Sequence, residues 1–312
     1  MKKFIMLLVL CACAAGVNAG TVAYWRFEDG VPGEQVQHGA DPAQFSADIS
    51  DVSGNGNHLS VWETQGGGSF GYRADVPYST VPGTGAANDL SVKNTGGFPG
   101  MFTQTGSQIS TMAPGTFTIE ASFKIENGNY RTIIGRDSYG TVSDNSALAA
   151  LYLQATPDNA LAIKYSDVSG FWHEAVSENA IFESFDFGSD PTGSNVPWYS
   201  VSAVSDGSTL SLYLREAGAG VWDLIAETDI AASGSEDTAL TAGAGDGGDW
   251  DAGNWTVARG LYDGWHGDRA WGFVDEVRIS DEALSQSEFL VPEPATLALM
   301  GLGYMTLLRR RK

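Results

Sequence analysis

The chain is poor in sulfur, in histidine and in positive charge. Of its 312 residues only Cys11 and Cys13 are cysteines, and both fall in the first segment, so the remainder is read as having neither disulfide nor thiol chemistry. The four histidines, His38, His58, His173 and His266, are scattered and show no zinc-ligand spacing. Against 38 acidic residues stand 17 basic ones, and six of those (Lys2, Lys3, Arg309, Arg310, Arg311 and Lys312) sit at the two ends. A body this acidic repels phosphate backbones and anionic lipid, which excludes nucleic acid as an expected partner. No apolar run approaches the twenty or so residues of a spanning helix, and no alternation of strands with long amphipathic helices points to a parallel sheet. What is abundant is glycine, 39 residues, with short β-branched and aromatic runs between turn signals. That composition predicts short strands and many turns.

The ends carry instructions for export. Lys2 and Lys3 precede an apolar run from Phe4 to about Ala15, and Val17-Asn18-Ala19 supplies small residues where a signal peptidase inspects them. This is the order of a secretory signal, with cleavage expected after Ala19. At the other end Val291-Pro292-Glu293-Pro294 leads into an apolar stretch from Ala295 to Leu308 and then Arg309-Arg310-Arg311-Lys312. Fourteen residues at about 1.5 Å each fall short of a hydrocarbon core of about 30 Å. The basic cluster holds that end on the cytoplasmic side, so the segment reads as a transient inner-membrane anchor. Pro292, Glu293 and Pro294 with the apolar helix and the Arg309, Arg310 and Arg311 cluster resemble the PEP-CTERM sorting signal of Gram-negative bacteria. The resemblance implies an exosortase-type processing enzyme as partner, removal of the tail, and delivery to the cell surface, outer membrane or extracellular polysaccharide matrix.

Residues 20 to 290 are then expected to form one domain, between a signal peptide at 1–19 and a sorting segment at 291–312. Phe117, Ile119, Ala121, Phe123 and Ile125 alternate with Thr118, Glu120, Ser122 and Lys124; period two assigns the first set to a core face and the second to water. Strands are also expected at 21–27, 131–135, 148–154, 160–165, 198–204, 209–215, 222–226 and 271–279, with Asp206-Gly207 turning a hairpin. Ser285 and Glu288 fit a capping box and predict one short helical turn. The fold class that follows is all-β, two packed antiparallel sheets, flanked by an N-terminal signal helix and a short C-terminal apolar helix.

Several of these runs, in order, resemble the laminin-G-like, concanavalin A-like jelly-roll domains of bacterial surface proteins. They are Ala23 to Asp29, Asp51 to His58, Phe117 to Phe123, Ser205 to Tyr213 and Phe273 to Ser280. The resemblance implies a jelly-roll sandwich whose first and last strands are neighbours, and a structural calcium near that seam. Glu28, Asp51, Asn57 and Asp275 are the oxygen donors suited to it, since calcium takes six to eight oxygens from carboxylates, amides and loop carbonyls. The alternative is that 53–57 is only a turn and that the acids pair with Arg26 and Arg278. Asp246, Asp249, Asp251 and Asn254 do not have EF-hand spacing and read first as a surface loop.

Carbohydrate binding is the chemistry best supplied. Trp250, Tyr262 and Trp265 lie in a Gly- and Asp-rich stretch, where exposed rings can face sugar rings and neighbouring acids can bond their hydroxyls; Trp255 and Trp271, in strand-like runs, are expected in the core. No catalytic residue is assigned. Glu227 and Asp229 lack the third acid of the glucanases that share this fold, and no strand presents a retaining pair. The Gly67-to-Gly71 match to G-x-S-x-G has no following helix, and His173-Glu174 has no second histidine. The expected function is a non-catalytic carbohydrate-binding or adhesion module on extracellular glycans, with a degenerate polysaccharide hydrolase or lyase, or a purely structural matrix protein, as alternatives.

Overall fold

The computed structural model describes residues 20–38, 44–63, 69–137, 149–241, 253–262 and 265–291. The signal segment with Ala19, the expected C-terminal helix, Trp250 and the residues from Pro292 to the terminal arginines lie outside them.

Among the described residues, seventeen strands account for nearly all regular structure. The first five are β1 (Thr21–Trp25), β2 (Leu59–Glu63), β3 (Phe70–Arg73), β4 (Ser91–Asn94) and β5 (Pro99–Thr103), followed by a single helical turn, α1 (Gln108–Thr111). Then come β6 (Phe117–Ile125), β7 (Arg131–Arg136), β8 (Leu151–Ala155), β9 (Leu161–Ser166), β10 (Trp172–Val176), β11 (Tyr199–Ser205), β12 (Thr209–Glu216) and β13 (Asp223–Asp229). The chain finishes with β14 (Trp255–Val257), the β15 (Gly260–Tyr262) and β16 (Trp265–Gly267) hairpin, and β17 (Gly272–Ser280). Eight strands form one sheet in the order β13-β12-β11-β6-β17-β4-β3 with β1 also on β17, and seven form the other in the order β10-β9-β8-β7-β14-β5-β2. The strand pairings within both are antiparallel. The two-sheet all-β architecture is the one the turn-rich sequence predicts. The first and last strands are neighbours, with Tyr24 opposite Arg278.

The core lies between the sheets and follows from alternation. Ile119, Ala121, Phe123 and Ile125 of β6 meet Leu151, Leu153, Leu161, Ile163 and Tyr165 from the facing sheet in one buried cluster. Trp255 is fully buried there, its indole nitrogen donating to Ile109 O at 3.1 Å; Trp271, expected beside it, is only half-buried. The β11–β12 turn forms as expected: Gly207 takes φ +87°, and Asp206 Oδ1 accepts from Ser208 N at 2.8 Å and Thr209 N at 2.7 Å.

The other face of β6 departs from expectation. Thr118, Glu120, Ser122 and Lys124, assigned to water, are all buried, because the outside of the eight-stranded sheet carries a second layer of chain. Thr118 Oγ1 donates to Glu282 O at 2.7 Å, Leu290 N donates to Glu120 Oε1 at 2.7 Å, and Lys124 Nζ reaches Asp75 at 2.8 Å. The residues of that layer come from far along the chain, so strand periodicity has no signal for it. Within it, Ser285 N and Oγ both donate to Glu288 Oε2, at 3.0 and 2.7 Å, so the capping pair forms. It closes a hydrogen-bonded turn rather than a helix, since Phe289 to Val291 at once leave it to pack on the sheet.

Candidate functional site: an aromatic cleft and an acidic seam

The alternation that fills the core leaves the opposite face of the seven-stranded sheet to build a surface. Tyr152 and Gln154 of β8, Lys164 of β9 and Trp172 of β10 occupy that face, while Leu153, Ile163 and Ala175 point inward. Tyr130, just before β7, and Tyr262 and Asp268, from and after the β15–β16 hairpin, close the sides of an open cleft of about 520 Å³. The hairpin is fixed to the sheet by the Tyr152 hydroxyl, which donates to Leu261 O and accepts from Ala149 N at 2.8 Å. Trp172 meets Tyr152 edge-on at a centroid distance of 6.2 Å, which holds the indole in place.

Three kinds of group therefore meet in one cleft. Tyr130 and Tyr262 are 43% and 56% exposed, enough to present ring faces to a ligand. Gln154 is 5% exposed, and its Oε1 is buried with no hydrogen-bond partner, a state that costs about 1–3 kcal/mol unless a ligand donor relieves it. Lys164 Nζ is 3.4 Å from Glu174 Oε2, so its charge is largely compensated. Asp268 is the one acid among the described lining residues, and burial holds its pKa above the usual carboxylate range, against the pull of Arg131.

Of the residues expected to bind a ligand, Tyr262 lines the cleft. Trp265 pairs with it in the hairpin register, but its side chain, like all of Trp250, is outside the described residues. Tyr130, Gln154, Lys164 and Trp172 were missed by sequence reasoning. Tyr152, Gln154 and Lys164 sit on the solvent phase of strands it had recognised, and that phase was the available signal.

The seam of β1 and β17 gathers the acids, but not in the expected way. Asp51 accepts four hydrogen bonds: from Tyr24 N at 3.0 Å, Ser53 N at 2.9 Å, Ser53 Oγ at 2.8 Å and Asn57 N at 2.8 Å. Asn57 donates to Val22 O at 2.9 Å and accepts the Trp25 indole at 2.7 Å through its carbonyl. This pair ties the 51–58 turn to β1, and donors already surround the Asp51 carboxylate. Glu28 and Asp275 lie apart from it. Glu28 Oε1 accepts from Asp89 N at 2.8 Å and Leu90 N at 3.1 Å, and Asp275 Oδ2 accepts from Asn88 Nδ2 at 2.9 Å.

Asp275 is fully buried, and desolvation, then the charges of Glu276 and Glu28, push its pKa well up. Glu276 departs from the strand at φ +49°, in a bulge between Asp275 and Arg278, and this turns its carboxylate towards Arg26 at 3.0 Å and the Tyr24 hydroxyl. Burial raises its pKa to about 6 despite Arg26. Asn88 Oδ1 is buried without a partner. Among the described residues no three His, Cys, Asp or Glu side chains are grouped to hold a metal. Glu28, Asp275 and the Asn88 amide oxygen are hard oxygen donors, the ligand type that calcium takes and softer ions do not.

Comparison with known proteins identifies one segment. Residues 290–312 match the PEP-CTERM protein-sorting motif. The chain carries a PEP-CTERM sorting signal. The motif marks an exported protein sorted to the cell surface and processed by an exosortase. No curated protein matches the chain. Among solved structures, the Ruminococcus gnavus IT-sialidase CBM40 bound to α2,6-sialyllactose is 15% identical, with a TM-score of 0.42 over 58% of this chain and 84% of that one. Trypanosoma rangeli sialidase in complex with 2,3-difluorosialic acid is 14% identical, with a TM-score of 0.41 over 88% of this chain and 32% of its own length. The leech intramolecular trans-sialidase with 2,7-anhydro-Neu5Ac gives 15% and 0.40, over 58% and 23%. Likenesses this distant transfer no ligand, and the reading of the cleft rests on its own side chains.

Proposed function

We propose that this PEP-CTERM protein is a non-catalytic glycan-binding module displayed at the cell surface or in the extracellular matrix, and that the cleft beside Trp172 and Tyr262 is its binding site. The observation that carries the reading is Gln154 Oε1, a buried acceptor left unpaired on the wall of a cleft flanked by exposed tyrosines. Sugars combine an apolar ring face with hydroxyl donors, and this wall offers a partner to each. With a formal net charge of −21 and Lys164 tied to Glu174, neutral sugars suit the cleft better than anionic ones. Binding rather than cleavage is favoured because glycosidic hydrolysis ordinarily uses two carboxyl groups across the bond, and among the described residues Asp268 is the one acid in the lining.

Calcium at the seam belongs to the same proposal, with Glu28, Asn88 and Asp275 as its side-chain ligands and a structural role. The test of function is a glycan array probed with residues 20–291. The reading expects retention of neutral oligosaccharides that weakens in Trp172→Ala and Gln154→Leu. A blank array for a folded protein would sink it, and release of reducing ends would move the reading to a hydrolase.

A further inference from the structure

The sorting motif and the folded domain overlap. The match begins at residue 290, yet Leu290 and Val291 are 4% exposed, and Phe289 is 1% exposed. Phe289 packs edge-on against Trp222 and Tyr213, at 5.2 and 5.8 Å. Leu290 uses both main-chain groups: its N–H donates to Glu120 Oε1 at 2.7 Å, and its carbonyl accepts from Gly83 N at 2.7 Å. Gly83 permits that approach, since a Cβ there would stand 2.7 Å from the Leu290 oxygen. The Val291 carbonyl accepts two further donors, Trp222 Nε1 at 2.7 Å and Arg215 Nη1 at 3.0 Å.

A processing enzyme must draw several residues on each side of the scissile bond into its own cleft and aim the scissile carbonyl oxygen at its oxyanion donors. Residues 288–291 are engaged with the sheet, and the Val291 oxygen is held by two side chains of the domain itself. We propose that the processing cut falls at the Pro292–Glu293 bond or beyond it, and that residues 284–291 stay with the mature protein as a strap over the eight-stranded sheet. In the cut a nucleophile, water or an acceptor amine, adds to a carbonyl carbon at or after Pro292. The C–N bond breaks, and the tail departs as an amine carrying the nucleophile's proton. The docked strap thus sets the boundary between what is kept and what is discarded.

The test is mass spectrometry of the C-terminal peptide of the mature protein recovered from cells that export it. A last residue at Pro292 or later supports the proposal; a free carboxylate there identifies water as acceptor and an added mass identifies an amine. A last residue at Val291 or earlier, or a retained tail, overturns it. In Gly83→Val the strap is pushed off the sheet, which hydrogen exchange at the Leu290 amide reports as lost protection. The cut in that variant is expected to spread upstream into 284–291. An unchanged cut site with the Leu290 amide deprotected would overturn the claim that docking sets the boundary.

Discussion

At the scale of single residues, the acids divide by what surrounds them rather than by type. Asp51 and Asp275 are both buried, but Asp51 is met by four donors, whereas Asp275 has two donors and the added charges of Glu276 and Glu28. Asp51→Ala is therefore expected to cost about 3 kcal/mol in chemical denaturation, because it strands donors of β1 and of the 51–58 turn without partners. Tyr262 makes the opposite prediction. It is 56% exposed, so Tyr262→Ala should leave the melting temperature unchanged while weakening glycan affinity roughly tenfold by calorimetry, about 1–2 kcal/mol for a lost ring face. Sequence reading picked out both residues, Asp51 as a calcium donor with a structural turn as the alternative. Which oxygens are already taken depends on main-chain amides up to 27 residues away, at Tyr24.

At the scale of elements, the β1–β17 seam stores a pH dependence. A carboxyl whose pKa is higher in the folded state binds its proton more tightly there, so stability is greatest while it stays protonated and declines as pH rises through the folded value. For Glu276 that window runs from its ordinary range near 4.5 up to about 6, and Asp275 shifts in the same direction. In chelator, the domain is expected to lose about 2 kcal/mol from Glu276 between pH 4.5 and pH 7, and Glu276→Gln should flatten that slope in denaturant titrations. The β6 strand was legible to the residue, since Phe117 to Ile125 alternates without interruption. The three-residue strands β14, β15 and β16 were not, because pairing rather than propensity makes them strands.

At the scale of the whole molecule, both sheets have an outer face and the two are used differently. One is sealed by the strap and its neighbouring loops; the other bears the aromatic cleft. Calcium bridging Glu28, Asn88 and Asp275 would link the seam to the loop before β4. At a hundredfold excess over its dissociation constant it is expected to raise the melting temperature by about 5–10 °C. Differential scanning calorimetry with calcium and with chelator measures this, and an identical Tm in both would remove the cation. The sequence by itself determined the C-terminal sorting motif, the all-β class and the core phase of the long strands, because these rest on local order: charge, apolar length and period two. Only the tertiary structure decided that the polar face of β6 is dry, that Asp51 is an anchor, and that Gln154, Trp172 and Tyr262 share one cleft. Each of those depends on groups far apart in the chain, brought together by sheet pairing that no local pattern encodes.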